Sequence, residues 1–249
     1  MVLRSTKTFV IGDIHGGLKA VQQVLKRAQV SADDTLIFLG DYVDGWSQSP
    51  QVLDFLIDLN TKQKCIFIKG NHDELLLRWF TLGPQNVDEA MWFKHGGQAT
   101  VQAYREVSDQ KKLTHITFLQ TLQNYHIDSQ NRLFVHAGFT NQNGVKHEFY
   151  PKLFYWERTL WETALCLDPN IKRTSNYYPK RLLLYNEIFI GHTPVTKIGY
   201  TIPINKANVW NIDTGAAFKG PLTILNVDTK QYWQSETLPN LYPSETGRN

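Results

Sequence analysis

Five times in this chain a short apolar run stops at a cluster of side chains able to hold a metal ion. Residues 7–11 run into Gly12-Asp13-Ile14-His15-Gly16-Gly17, and residues 35–39 into Gly40-Asp41-Tyr42-Val43-Asp44-Gly45. Residues 65–68 lead to Gly70-Asn71-His72-Asp73-Glu74, residues 133–135 to His136-Ala137-Gly138, and residues 187–190 to Gly191-His192-Thr193-Pro194. A continuous apolar run bounded by turn residues reads as a strand buried on both faces. In open α/β sheets the ligand crevice lies outside the carboxyl ends of the strands, so these groups converge although they are far apart in sequence. The second cluster is the centre of the pattern. Two carboxylates three residues apart, released by Gly40, make a poor packing choice and a good cation site. Asp41 can bridge two ions while Asp44 orients a neighbour. Taken alone, that stretch reads equally as an acidic loop, and a lone Asp-x-His is more often a turn. Five such clusters, each after a strand, are not five unrelated turns.

Helical periodicity fills the intervals. Leu18, Val21, Val24, Leu25 and Ala28 share one face, as do Val52, Leu53, Leu56 and Leu59 behind Ser49-Pro50, an N-cap candidate followed by proline. Leu75 to Phe80 supply a third amphipathic segment, and this β-α-β-α-β opening implies parallel strands with right-handed crossovers. From 83 to about 130 the pattern changes to polar helices with aromatics, broken at His95-Gly96-Gly97, which reads as a helical insertion in one domain spanning 1–249. Residues 156–167 read as a helix and 168–181, with two prolines, as a mobile surface loop. Short strands are expected at 209–212, 222–227 and 231–234, and the last dozen residues are expected to fray.

Composition narrows the function classes. A formal charge of +3 on 249 residues, with no basic run, gives no case for nucleic acid. No stretch is long and apolar enough for a membrane span, and residues 1–7 lack the apolar core of a signal peptide, which points to the cytoplasm. Cys65 and Cys166 have no CxxC partner, so buried thiols in a reducing compartment are expected. The donors at the strand ends are carboxylate, amide and imidazole without thiolate. That set suits manganese, iron or zinc better than calcium or magnesium.

Taken together, the forms Gly-Asp-x-His-Gly, Gly-Asp-x-x-Asp-Gly, Gly-Asn-His-Asp, His-Ala-Gly and Gly-His-Thr resemble the calcineurin-like metallophosphoesterase superfamily, and within it the bacterial phosphoprotein phosphatases. The motifs run from Asp13 to His192, most of the chain. The resemblance implies an α/β fold with two mixed β-sheets in a central sandwich flanked by helices. It implies one metal on Asp13, His15 and Asp41, and a second on Asp41, Asn71, His136 and His192. Both would be divalent transition ions, manganese first, with iron or zinc as alternatives. The implied reaction is hydrolysis of a phosphomonoester by in-line attack of a hydroxide bridging the metals. His72 resembles the general acid that protonates the leaving alkoxide, and Asp44 the carboxylate that fixes its ring.

A phosphorylated protein or peptide is the leading substrate class, as for a Ser/Thr protein phosphatase, with small phosphate esters also fitting. The alternative is a nucleotide phosphohydrolase resembling the symmetrical diadenosine tetraphosphatases, which share His-Ala-Gly and Gly-Asn-His-Asp. That group often lacks the second acidic residue of its second motif; Asp44 is present here and favours the phosphatase. A binding module with a degenerate site is the third reading, opposed by the complete ligand set. One departure stands out. The family's second motif usually continues Asp-Arg-Gly, with the arginine on phosphate, whereas this chain has Asp44-Gly45-Trp46. Arg158 resembles a second phosphate arginine, its alternative being a helical ion pair with Glu162. His95 reads as part of a helix break, and His115, His126 and His147 as surface or locally bonded. Asp213 either lines the pocket or makes a turn. Tyr150, Phe154, Tyr155, Trp156 and Trp161 read as core.

Overall fold

Strand alternation decides the layering. In β1 (Thr8–Ile11) Phe9 and Ile11 belong to one apolar cluster and Val10 to another, and in β2 (Thr35–Phe38) Leu36 and Phe38 part from Ile37 in the same way. The second sheet repeats the rule. Leu133 and Val135 of β5 (Arg132–Val135), and Ile188 and Ile190 of β6 (Glu187–Ile190), face outward to a third cluster, while Phe134 and Phe189 face inward. The inward residues of both sheets meet in one layer, where Phe134 and Phe189 stack with centroids 5.0 Å apart. Burying each such side chain is worth about 1.5–3 kcal/mol, so a strand with two apolar faces has no stable place except between two layers.

The structure is a computed structural model that describes residues 6–248; the expectations for residues 1–5 and Asn249 lie outside it. The remaining strands are β3 (Cys65–Phe67), β4 (Tyr125–Ile127), β7 (Ile204–Lys206), β8 (Val209–Asn211), β9 (Pro221–Asn226) and β10 (Tyr232–Thr237). One sheet has the order β10-β9-β1-β2-β3 and the other β4-β5-β6-β8-β7. β1, β2 and β3 are parallel, as are β5, β6 and β8, whereas β9 and β10 on one side and β4 and β7 on the other run antiparallel. Both sheets are therefore mixed, as expected. Outside the first sheet lie α1 (Leu18–Arg27), α2 (Ser49–Lys62) and α3 (Asn71–Leu82), with Val21, Val24, Val52, Leu53, Leu56 and Leu76 buried.

Several expectations change. Gln48, not Ser49, is the N-cap of α2; the Ser49 hydroxyl turns inward to the Asp44 N–H at 3.1 Å and Thr100 Oγ1 at 2.8 Å. Helices fill 83–120, but the stretch expected to stay helical to about 130 becomes β4, because Tyr125–Ile127 pairs with β5. The helix expected over 156–167 is two, Leu153–Trp156 and Thr159–Cys166, parted where the buried Glu157 carboxylate accepts the N–H groups of Thr159 and Leu160. The loop at 168–181 is pinned by buried Tyr178 and Arg181. Cys65 is half-buried and Cys166 exposed, so the pair is not a set of buried thiols.

The described part of the last dozen residues does not fray. Tyr242 stacks on Trp46 at 5.3 Å, the Glu245 carboxylate accepts the Ser47 N–H and hydroxyl, and the Arg248 N–H donates to Ala217 O. Such packing comes from contacts across nearly 200 residues, which periodicity does not register. Among the described residues no helix is long and apolar enough to cross a membrane.

Candidate metal centre

The loops after β1, β2, β3, β5 and β6 lie side by side, and backbone bonds lock them together. Ile14 and His15 N–H both donate to Asp41 O, and Gly16 N–H to Tyr42 O. From the first turn of α3, the Asp73 carboxylate accepts N–H from Asp41 (2.8 Å), Tyr42 (2.9 Å) and Gly70 (2.8 Å). Asp73 thus staples two loops, a role that sequence reasoning missed; its place in the third motif was the available signal. Burial, and then Asp41, push its carboxyl up to about 7, against the pull of its N–H donors. Asp41 Oδ1 accepts the His72 N–H at 2.9 Å, and a Cβ on Gly70 would lie only 2.1 Å from that same oxygen. Only glycine permits this approach.

Four non-glycine residues here have left-handed backbones: His15 (φ 51), Asp41 (φ 51), Asp44 (φ 74) and His192 (φ 65). Such conformations cost of order 1–3 kcal/mol each and persist only where the surroundings over-determine them. Their gathering in one crevice marks it as a site.

The side chains converge. His15 Nε2 lies 3.5 Å from Asp41 Oδ2 and 3.9 Å from Asp13 Oδ2. His136 Nε2 lies 3.4 Å from Asp41 Oδ2 and 3.2 Å from Asn71 Oδ1, while His192 Nδ1 is 2.9 Å from the same Asn71 oxygen. His136 Nδ1 meets Leu39 O at 2.8 Å, which aims Nε2 into the centre. Two clusters able to hold an ion, His15/Asp41/His72 and Asp41/His136/His192, share Asp41.

The electrostatics fit cations. Asp13 Oδ1, His15 Nδ1 and His192 Nε2 are buried without a hydrogen-bond partner. Burial, with Asp213 and Asp41 nearby, holds the Asp13 carboxyl well above the usual carboxylate range. Burial opposes the charged form of Asp41 too, but His136 and His72 outweigh it and hold Asp41 well below that range. Against its own burial, His136 is pushed up to about 10, by Asp41 first and then Asp13. Asp13 and His136 thus favour their protonated forms and Asp41 its charged form, while burial holds His15 and His192 well below the usual imidazole range. A carboxylate among neutral imidazoles, with unpartnered buried atoms, suits divalent ions.

An outer wall stands over these groups. The Asp44 carboxylate receives the Trp92 indole N–H at 2.5 Å and lies 2.6 Å from His72 Nδ1, while Thr100 Oγ1 accepts the Asp44 N–H. Trp92 and Thr100 come from the helical segment after 83. Arg158 is exposed, lines the pocket of about 290 Å³ beside His72 and His192, and donates to Thr193 Oγ1 at 3.1 Å. It forms no ion pair with Glu162, because it sits at the N-cap of the helix and not within it. His95 does lie at a helix break, with φ 100 at Gly96, yet it also faces the pocket. His115 is not on the surface: it is fully buried between Tyr104 OH and Asp54. His126 is half-buried and His147 exposed. Asp213 both turns the chain, accepting the Gly215 N–H, and sits where its charge raises Asp13. Phe154, Tyr155 and Trp161 are core, but Tyr150 is exposed and Trp156 lines the pocket.

The family profile of calcineurin-like phosphoesterases matches residues 6–216. The chain belongs to that family. The asymmetrical bis(5′-nucleosyl)-tetraphosphatase PrpE of Anoxybacillus flavithermus is 32% identical over 232 residues, 87% of this chain and 88% of that one. A crystal structure of a candidate diadenosine tetraphosphatase aligns with TM-score 0.63 at 17% identity, covering 94% of this chain and 95% of its own. A serine/threonine phosphatase from Saccharomyces cerevisiae aligns with TM-score 0.59 at 14% identity, covering 93% of this chain and 80% of its own. At these identities the two structures bear on the fold. As a calcineurin-like phosphoesterase, the chain is a metal-dependent hydrolase of phosphate esters.

Proposed function

We propose that this chain is a nucleotide phosphohydrolase that cleaves bis(5′-nucleosyl) polyphosphates asymmetrically, rather than a Ser/Thr protein phosphatase. The observation that carries the reading is the shape of the site. Leu75, Met91 and Trp156 wall the metal-centre pocket and also line a second cavity of about 450 Å³, which continues past Arg78, Lys152 and Tyr155. Apolar and aromatic walls suit a base beyond the reacting phosphorus, and the same cavity carries Arg78 and Lys152 beside Glu74 and Asp88. The relative named an asymmetrical bis(5′-nucleosyl)-tetraphosphatase supports the same substrate class. It departs from the symmetrical group that the motifs resemble.

In this reading Asp13, His15 and Asp41 hold one divalent ion, and Asp41, Asn71, His136 and His192 hold the other, with manganese the first ion to test. When bound, the pair supplies Lewis-acid polarisation of the phosphoryl group and activation of water. His72 shares a cluster with His15 and Asp41, but its Nδ1 is engaged by Asp44 and its Nε2 faces a guanidinium at 3.0 Å. The guanidinium has only N–H groups, so Nε2 accepts from it here; when a phosphate draws the guanidinium away, the ring held by Asp44 can carry the proton that a leaving oxygen needs. Trp92 holds Asp44, and Asp44 holds the ring. Arg158, at the mouth, grips a substrate phosphate.

The test incubates manganese-loaded protein with diadenosine tetraphosphate, a phosphoserine peptide and p-nitrophenyl phosphate. Asymmetrical cleavage adds one water and yields one ATP and one AMP. Two ADP would assign the symmetrical reaction, and faster peptide turnover would return the chain to the protein phosphatases.

A further inference from the structure

The residues that close the metal pocket from the far side do not come from the strand-end motifs. Arg248 reaches in beside Gly45. Its Nη1 lies 3.0 Å from His72 Nε2 and its Nη2 3.3 Å from His95 Nδ1. We propose that Arg248 is a phosphate-gripping residue of this site, opposite Arg158. The proposal rests on the phosphoesterase reading but not on which ester is cleaved.

Three observations carry it. The first is electrostatic. The guanidinium contacts two imidazoles, its Nε is buried without a partner, and among the described residues no carboxylate lies within ion-pairing distance, Asp213 only feeling its charge from further off. A partly buried arginine lacking an anion is costly unless an anion arrives, and a phosphate oxygen offers charge-assisted bonds about twice as strong as neutral ones. The second is position. Arg248, Arg158, His72 and His192 line the same cavity, so an anion held over the metal ligands meets both guanidiniums.

The third observation is construction. The Arg248 N–H is tied to Ala217 O at 2.8 Å, its guanidinium carbon lies 5.1 Å from the Phe218 ring centroid, and Glu245 anchors the segment on Ser47. Gly45 (φ 100) and Gly96 (φ 100) face each other beside its stem, with Gly45 N–H bonded to Gly96 O. A Cβ on Gly96 would lie 2.9 Å from Arg248 Cγ, whereas one on Gly45 would lie 3.5 Å away. Gly96 leaves the corridor that the arginine uses, while a Cβ on Gly45 would make only an ordinary contact with it. Arginine at position 45 would also need a left-handed backbone, so the guanidinium arrives from elsewhere in the chain.

The test uses the full-length, manganese-loaded protein and inorganic phosphate as probe. Arg248→Ala should keep its metal content and bind phosphate about 10- to 100-fold more weakly by calorimetry, the scale for lost bonds to a charged group. KM for p-nitrophenyl phosphate should rise in parallel, with kcat changed less. Arg248→Lys, which keeps charge without the fork, should fall between. Glu245→Ala, which only loosens the segment, should give a smaller loss in the same direction. Unchanged phosphate binding in Arg248→Ala would overturn the assignment. Tighter binding would overturn it too, making Arg248 a stopper that substrate must displace. Because phosphate and p-nitrophenyl phosphate report on the site whichever ester is natural, failure to cleave diadenosine tetraphosphate would sink the substrate proposal and leave this one standing.

Discussion

The floor of the site and its outer wall are built on different principles. The floor consists of five strand-end loops whose backbones bond to one another and whose candidate ligands are almost wholly buried. Its geometry follows from the sheets. The wall is assembled from a helix break at His95-Gly96, a helix junction at Glu157-Arg158 and the segment that ends at Arg248. These pieces meet only through tertiary contacts, and several of their groups remain half or fully exposed. The difference teaches where chemistry and selectivity reside. A rigid floor suits a reaction common to many phosphate esters, and a wall of separate pieces is free to differ between relatives that share the floor.

The sharpest break should come from the floor. Asp41 is shared by both clusters, so Asp41→Asn should deplete both metals and cost more than the roughly 10- to 100-fold that residues merely supporting ligands command. His192→Ala should deplete chiefly one. Metal content by plasma emission separates them, and a full complement in Asp41→Asn would refute the shared role. The floor also has a pH signature. With its pKa raised to about 10, His136 is protonated in the metal-free protein below that pH, and binding must expel the proton. Apparent metal affinity should therefore fall as pH falls from 9 to 6, by about tenfold per unit for one proton displaced.

Next in size is the residue where floor meets wall. His72→Asn should retain metal and lose about 10²- to 10⁴-fold in rate on an alkyl phosphate. The loss should shrink where the leaving group needs no proton, as with p-nitrophenolate, or with a phosphate whose second pKa is about 6. Equal losses on all three would remove His72 from proton transfer.

The same division explains what the sequence disclosed. The side chains that converge on the floor are legible, because each follows an apolar strand and strand ends converge by topology. The wall is not. Nothing in residues 242–248 signals that Arg248 lies against His72, since a polar stretch without periodicity looks the same packed or loose. In the sequence nothing sets Trp92 apart from the other aromatics, and only the structure brings its indole N–H to Asp44. Substrate class is hard to read for a related reason. The presence of Asp44 favours a protein phosphatase on motif grounds, but its carboxylate meets His72 and Trp92, contacts that serve any phosphate ester. A residue that supports the floor's chemistry carries little information about the substrate.

Trp92→Phe tests that support. It keeps most of the ring volume and removes the N–H, leaving buried Asp44 with one fewer donor. A bond to a charged group is worth about 1.5–3 kcal/mol, and the variant should lose stability on that scale in urea unfolding. Its rate loss should stay below that of His72→Asn, because Asp44 still holds the ring. A variant as stable as the parent would mean that water or another donor replaces the indole.

The smallest expected effect is the most telling about the wall. Trp156 flanks the metal pocket, 6.3 Å between ring centroids from His192, and also lines the neighbouring cavity. If that wall receives a nucleobase, Trp156→Ala should raise KM for diadenosine tetraphosphate by the loss of one base–aromatic stack, about 1–3 kcal/mol at most. Its half-burial and its packing with Lys152, whose ammonium lies 5.6 Å from the ring centroid, place the expectation at the lower end. On p-nitrophenyl phosphate, which carries no nucleobase, kcat/KM should stay within about twofold, since the variant leaves the floor's side chains, His72 and both arginines in place. Parallel losses on the two substrates would show that Trp156 merely supports His192. A loss confined to the dinucleotide separates the wall from the floor and ties substrate choice to the wall.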